Sequence, residues 1–277
     1  MFQRFLIFSL CCFLFITCDE NKPTDKDATQ KFAENADEKE FKEKHEKPTN
    51  VDFQETGTMI EFPASDGEMA KAYFLKSKEA TKNYLFVIHE WWGLNDNIKR
   101  EAQHFHQSLP NTNVMALDIY DGKVADNADD ASKYMQAVKT ERAKAIIEGA
   151  MASAGADAKI ATIGWCFGGG WSLKTSIMAE DRGAGCVIYY GMPVENAKEL
   201  EPLEADVLGI FGKDDKWINP EVVKKFDALA KATGKNFEYE IYDADHAFAN
   251  PSSPRYVEEA AQKANAKALA FLQEKLK

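Results

Sequence analysis

The sequence predicts an α/β domain over residues 55–277, built on a mostly parallel central sheet with helices on both faces. Three observations carry that prediction. Apolar runs such as Tyr84-Leu-Phe-Val-Ile88 are continuous rather than alternating, as in strands covered on both faces. Segments of helical length separate these runs, the spacing of parallel crossover connections. A glycine-rich turn, Gly164-Trp-Cys-Phe-Gly-Gly-Gly170, follows an apolar run and opens a helix.

Taken in order, Met59 to Phe62 and Ala70 to Leu75 alternate apolar and polar, as a half-buried antiparallel pair does. Tyr84 to Ile88 is a buried strand, Asn97 to Gln107 a polar helix, and Val114 to Leu117 the next strand. Helices are expected near Ala131 to Val138 and Ala143 to Ala154. Ile160 to Ile163 leads into the glycine-rich turn and a helix through about Met178. Strands at Cys186 to Tyr189 and Val207 to Phe211 come next, then a helix from Pro220 to Ala230. A strand at Phe237 to Tyr242 and a closing helix from Arg255 to Leu276 complete the domain. No internal repeat is apparent.

The first fifty residues read differently. Arg4 precedes an apolar run, Phe5 to Ile16, too short for a membrane span and of the length of an export signal. Its end, Phe15-Ile-Thr-Cys18, resembles the lipobox of bacterial lipoproteins. That resemblance implies a signal over residues 1–18, lipidation at Cys18 and export to the periplasm or an outer-membrane anchor. Plain secretory cleavage stays open as the alternative. Residues 19–54 are mostly Lys, Glu, Asp, Asn, Pro and Thr, and are expected to be a solvated tether with no buried face. A formal charge of -11 argues against nucleic acid as a partner, since phosphate binding needs clustered cations. The membrane enters only through the lipid anchor.

Of five cysteines, Cys11, Cys12 and Cys18 belong to the signal, leaving Cys166 and Cys186. Cys186 sits in an apolar run and reads as core. Cys166 sits at the centre of a Gly-x-Cys-x-Gly turn between strand and helix, where a nucleophile is presented on a sharp bend. Gly164 and Gly168 meet the demand for near-absent side chains on either side. A helix N-terminus favours thiolate, the reactive form of cysteine, and the Phe167 amide is placed to donate to an oxyanion. The bland alternatives are a buried cysteine in a tight turn or a phosphate loop, but the Gly-Lys-Ser/Thr ending of the latter is missing.

A cysteine nucleophile needs a base and a group to orient it. Among five histidines, His45 falls in the tether, and His104 and His106 stand two apart on one helix, a poor metal pair. His89 ends a strand. His246 falls between the last strand and the last helix, where this topology places the base. Asp214 and Asp215 follow the strand ending at Gly212, and the order Cys, Asp, His is that of α/β-hydrolases.

These residues together resemble the dienelactone hydrolase family. The resemblance rests on His89-Glu-Trp-Trp-Gly-Leu-Asn95, the Gly-Trp-Cys-Phe-Gly-Gly turn, Tyr189-Tyr-Gly191, Gly212-Lys-Asp-Asp215 and His246-Ala-Phe248. It implies an α/β-hydrolase fold, Cys166 as nucleophile, His246 as base and Asp215 rather than Asp214 as orienting acid. It further implies that Glu90 takes part in activating the cysteine and that the Trp91 amide completes the oxyanion hole with Phe167. The substrate would be a small ester, lactone or thioester, cleaved through an acyl-cysteine with no metal or organic cofactor. One departure bears on substrate: where the family's namesake carries a carboxylate-binding arginine shortly after the histidine, this chain has Asn250. Trp92 and Trp165 either line the pocket or pack beneath it; Trp171 and Trp217 read as packing. The rival from another class is a non-catalytic ligand-binding lipoprotein on the same fold. A redox thiol lacks the Cys-x-x-Cys partner.

Overall fold

The computed structural model describes residues 26–49 and 52–277. Its strands are β1 (Thr58–Pro63), β2 (Met69–Leu75), β3 (Asn83–Ile88), β4 (Asn113–Leu117), β5 (Lys159–Trp165), β6 (Gly183–Tyr189), β7 (Asp206–Gly212) and β8 (Phe237–Tyr242). They form one sheet in the order β1-β2-β4-β3-β5-β6-β7-β8. β2 runs antiparallel to β1 and β4, and every later pairing is parallel. The alternating hairpin therefore lies at one edge, and the continuous apolar runs fill the parallel centre.

The main helices are α3 (Asp96–Ser108), α4 (Ala128–Ala137), α5 (Thr140–Ala154), α6 (Phe167–Ala179), the one-turn α7 (Ala197–Leu200), α8 (Pro220–Ala232) and α9 (Glu258–Lys275). Alternation along β5 displays both faces of the sheet. Thr162 donates to the Ser172 carbonyl of α6 at 3.0 Å. Trp165, three residues on and therefore facing the other way, lies against Phe105 of α3 and Tyr189 of β6. Tyr189 in turn donates to Asn265 of α9 at 2.8 Å. Helices α3 and α9 thus cover one face and α6 the other, as the sequence predicts. Among the described residues, no helix is long and apolar enough to cross a membrane.

Residues 26–49 correct one expectation. They are not a solvated tether: they form α1 (Ala28–Glu34), a 3-10 turn and α2 (Lys39–Lys44), packed onto the domain. Asp27 caps α1 through a reciprocal box with Gln30. The same carboxylate pairs with the nearly buried Lys174 of α6 at 2.7 Å, and Lys174 also donates to Thr29 at 2.6 Å. Phe32, Ala36 and Phe41 are almost fully buried, and each aromatic stabilises the packed segment by about 2–3 kcal/mol through apolar burial. The composition is polar because one narrow stripe suffices: Ala28, Phe32, Ala33, Ala36, Phe41 and His45 face inward, and most of the charged residues face water. Residues 1–18, with Cys18 and the signal-like run, lie outside the described residues, as do residues 19–25.

Candidate active site

Cys166 stands between β5 and α6 with φ 54° and ψ −120°, a backbone region that side chains rarely occupy. The turn is possible because its neighbours lack side chains. A Cβ on Gly164 would meet the Gly168 carbonyl oxygen at 2.1 Å, and one on Gly168 would meet the Ile88 and His89 carbonyl oxygens at 2.4 Å. The Cys166 N–H donates to the Tyr189 carbonyl at 3.0 Å, pinning the bend to β6. Phe167 opens α6, so its amide has no acceptor one turn back and is free to bind an oxyanion. Trp91 stands three residues beyond the end of β3, with its ring buried.

The loop after β8 brings His246 over the end of β7, where Asp215 lies. His246 Nδ1 donates to Asp215 Oδ2 at 2.6 Å, and both side chains are buried. The other Asp215 oxygen accepts from the Trp217 and Ile218 amides, each at 2.9 Å. Burial opposes ionisation of Asp215, but the charge of His246 and these hydrogen bonds hold its carboxyl below the usual range. Burial likewise opposes charge on His246, yet the Asp215 carboxylate and the Cys166 sulfur outweigh it and raise the imidazole to about 10. Asp214 is exposed and makes no such contact.

Glu90 lies beside this group, buried, and accepts from Asn250 Nδ2 at 2.8 Å. Desolvation lifts its carboxyl to about 7, only partly offset by His246 and Asn250. A structural pairing of Glu90 with Lys99 or Arg100 is not made: Lys99 binds Glu55 at 2.6 Å and Arg100 pairs with Glu101. Asn250 therefore serves Glu90 as a neutral donor. A cation is present nonetheless, because Arg255 lines the same cavity and donates through Nε to the His246 carbonyl at 3.1 Å. It lies nine residues beyond His246, just ahead of α9, which starts at Glu258 and not at Arg255 as periodicity suggests.

Of the other candidates, His89 is structural: Nδ1 donates to the Glu90 carbonyl and Nε2 accepts from Ile119, bracing β3 against β4. Burial drops its imidazole to about 4. Cys186 is a free, buried thiol, pushed up to about 11 by desolvation. His104 is exposed and His106 bonds the Lys76 carbonyl. Trp92 lines the cavity beside Cys166, whereas Trp165 borders a separate crevice with Glu90 and Asn250.

One residue at the site is not signalled by the sequence. His45, from the segment after α2, is buried with Nε2 3.8 Å from Cys166 Sγ. Its ring stacks on Phe41 at 3.9 Å and also meets Trp91, Trp217 and His246. Trp217 packs, as expected, but it packs as a wall of this aromatic cage. The segment roofs the site so closely that Cys166 is 2% exposed and the cavity beside it measures about 20 Å³. That volume holds about one water molecule.

An eight-stranded α/β-hydrolase sheet with a cysteine on a strained strand-to-helix bend and a buried His–Asp pair beside it defines a hydrolase class. Residues 70–276 match the model of the dienelactone hydrolase family, and the chain belongs to that family. It is a carboxylic ester hydrolase of dienelactone hydrolase type. The protein usf of Aquifex pyrophilus is 28% identical over 206 residues, covering 70% of this chain and 87% of that one. A carboxymethylenebutenolidase of a Pseudomonas species is 32% identical over 117 residues, 42% of this chain and 48% of its own. Among solved structures, the dienelactone hydrolase-like promiscuous phosphotriesterase P91 from metagenomic libraries superposes with a TM-score of 0.68 at 21% identity. That match covers 80% of this chain and 99% of P91, and shows the shared fold.

Proposed function

We propose that the chain hydrolyses a small ester, lactone or thioester through an acyl-cysteine intermediate on Cys166. The observation that carries this reading is the bend at Cys166, strained at φ 54°, beside a His246 whose far nitrogen is already tied to Asp215 at 2.6 Å. Strain of this kind persists only where surrounding structure enforces it. In the first step Cys166 Sγ attacks the acyl carbon with its proton held on His246 Nε2, the imidazole being protonated beside Asp215. The carbonyl oxygen becomes an oxyanion held by the Phe167 and Trp91 amides. His246 then gives its proton to the departing alcohol or thiol, leaving a thioester on Cys166. A water molecule, deprotonated by His246, attacks that thioester and returns the enzyme. Asp215 fixes the imidazole tautomer and balances its charge throughout.

Glu90, its carboxyl raised to about 7 and close to His246, supports a second role, in which it exchanges a proton with the site and so sets when Cys166 is reactive. Arg255 at the cavity wall favours substrates with a carboxylate near the scissile bond. The signal-like N-terminus and Cys18 further support export and a lipid anchor, with the hydrolase domain outside the inner membrane. The test of function is a panel of p-nitrophenyl esters, lactones and thioesters, each with and without a carboxylate, given to the wild-type chain and to Cys166→Ala. Turnover of at least one class by the wild type alone supports the reading. Equal turnover by Cys166→Ala overturns it.

A further inference from the structure

Three buried groups converge where the N-terminal segment meets the domain. Cys166 Sγ and one ring nitrogen each of His45 and His246 all lie within 4.8 Å of one another. His45 Nε2 is 3.8 Å from the sulfur. Both imidazoles are oriented from behind. His45 Nδ1 is bound to the Phe41 carbonyl at 2.7 Å, and His246 Nδ1 to Asp215 at 2.6 Å. The Nε2 atoms are then the ends that face the sulfur, His45 neutral and His246 giving up its proton when a cation binds. His246 Nε2 is buried and has no hydrogen-bond partner among the described residues.

We propose that Cys166, His246 and His45 together bind one transition-metal dication, with Zn²⁺ the best chemical fit. A thiolate with two imidazoles is a borderline-soft donor set, the kind that suits zinc. Each histidine already has the outer contact that metal-bound histidines need, one to a carbonyl and one to a carboxylate. Tetrahedral zinc, with bonds of about 2.0–2.3 Å, needs ligand atoms roughly 3.3–3.6 Å apart. The three atoms, within 4.8 Å of one another, meet that with a contraction of at most about 1.5 Å, within the reach of side-chain rotation. The one-water cavity beside Cys166 supplies room for a fourth ligand. A dication would also balance the Cys166 thiolate and the Asp215 carboxylate in a place without solvent.

His45 is what makes the site. Without it, Cys166 and His246 offer only two ligands, too few for a tight site, so affinity depends on the N-terminal segment being docked. The bound ion occupies the lone pairs that hydrolysis needs, so the loaded chain is silent and the metal-free chain is the active form. The ligand set stands whether or not Cys166 forms an acyl intermediate, and the binding test below does not require turnover.

The probe is Co²⁺, titrated into chelator-treated full-length chain, followed by displacement with Zn²⁺. The expected result is one equivalent bound, with a thiolate charge-transfer band in the near ultraviolet and the visible spectrum of tetrahedral cobalt. Alkylating Cys166 in the wild-type chain removes the band. His45→Gln lowers affinity at least a hundredfold, with the more compact His45→Asn as a second variant; His104→Gln, on the surface, leaves it unchanged. Wild-type affinity in either His45 variant overturns the proposal, as does a wild-type chain that shows no thiolate band at millimolar Co²⁺.

Discussion

Asp215 commits both carboxylate oxygens, one to His246 Nδ1 at 2.6 Å and the other to the Trp217 and Ile218 amides. The acid is therefore oriented before it orients the base. Asp215→Asn places an amide where the imidazole N–H must find an acceptor and favours the wrong tautomer. We expect turnover to fall by about three to four orders of magnitude, the scale of triad aspartates elsewhere. Asp214→Asn, one residue earlier and exposed, should change turnover less than about twofold, as for surface substitutions generally. Steady-state rates of both variants decide it; equal losses contradict the assignment.

Glu90 gives a pH signature. Its carboxyl is raised to about 7 in the folded chain against 4.5 for an ordinary glutamate. Below the lower value both folded and unfolded states are protonated and nothing is lost. As pH rises toward 7 the unfolded state ionises and the folded state does not, so stability falls, and the cost is complete above 7. Glu90→Gln removes that cost and keeps an acceptor for Asn250. The variant should gain on the order of 1–3 kcal/mol at pH 8 and less at pH 5, by denaturant titration. Its Cys166 alkylation profile should also lose an inflection near neutrality. Overlaid profiles and equal stability at both pH values would leave Glu90 a packing residue.

Phe41 holds the roof. It is fully buried, stacks on His45 and touches Trp91 and Trp217. Phe41→Ala costs about 3–5 kcal/mol of packing at that spot, and local opening should become correspondingly more frequent. Iodoacetamide should label Cys166 at least about tenfold faster than in the wild type, since each 1.4 kcal/mol is a factor of ten in the open population. An unchanged rate means the thiol is reached by a route that does not involve the segment.

Cys18 tests the anchor. Palmitate labelling of the full-length chain in a bacterial host should tag the protein, and Cys18→Ser should remove the tag. An untagged wild-type chain recovered in soluble form would leave plain secretory cleavage as the outcome.

Much of the fold was legible because its signals are local. Continuous apolar runs marked the parallel strands, and alternation marked the β1–β2 hairpin at the sheet edge. The Gly164-x-Cys-x-Gly168 spacing marked the bend, since no other residue fits those contacts. His246, Asp215 and Glu90 were legible by chain order and family resemblance. The N-terminal segment was not, because a few inward residues among many charged ones carry too little apolar content to stand out, and their burial is decided by the distant surface of α6 and Trp217. His45 was consequently assigned to a tether. Arg255 was hidden differently: helical periodicity ran back through it, while the chain there is a turn that aims the guanidinium at the site.

The account rests on a thioester forming at Cys166, and acid-quenched mass spectrometry observes it directly. The wild-type chain is mixed with p-nitrophenyl acetate, quenched within the first turnover and digested. The predicted result is an acetyl increment on the peptide containing Cys166, absent from Cys166→Ala and released on longer incubation. Acetyl-free Cys166 during active turnover, or full hydrolysis by Cys166→Ala, would contradict it.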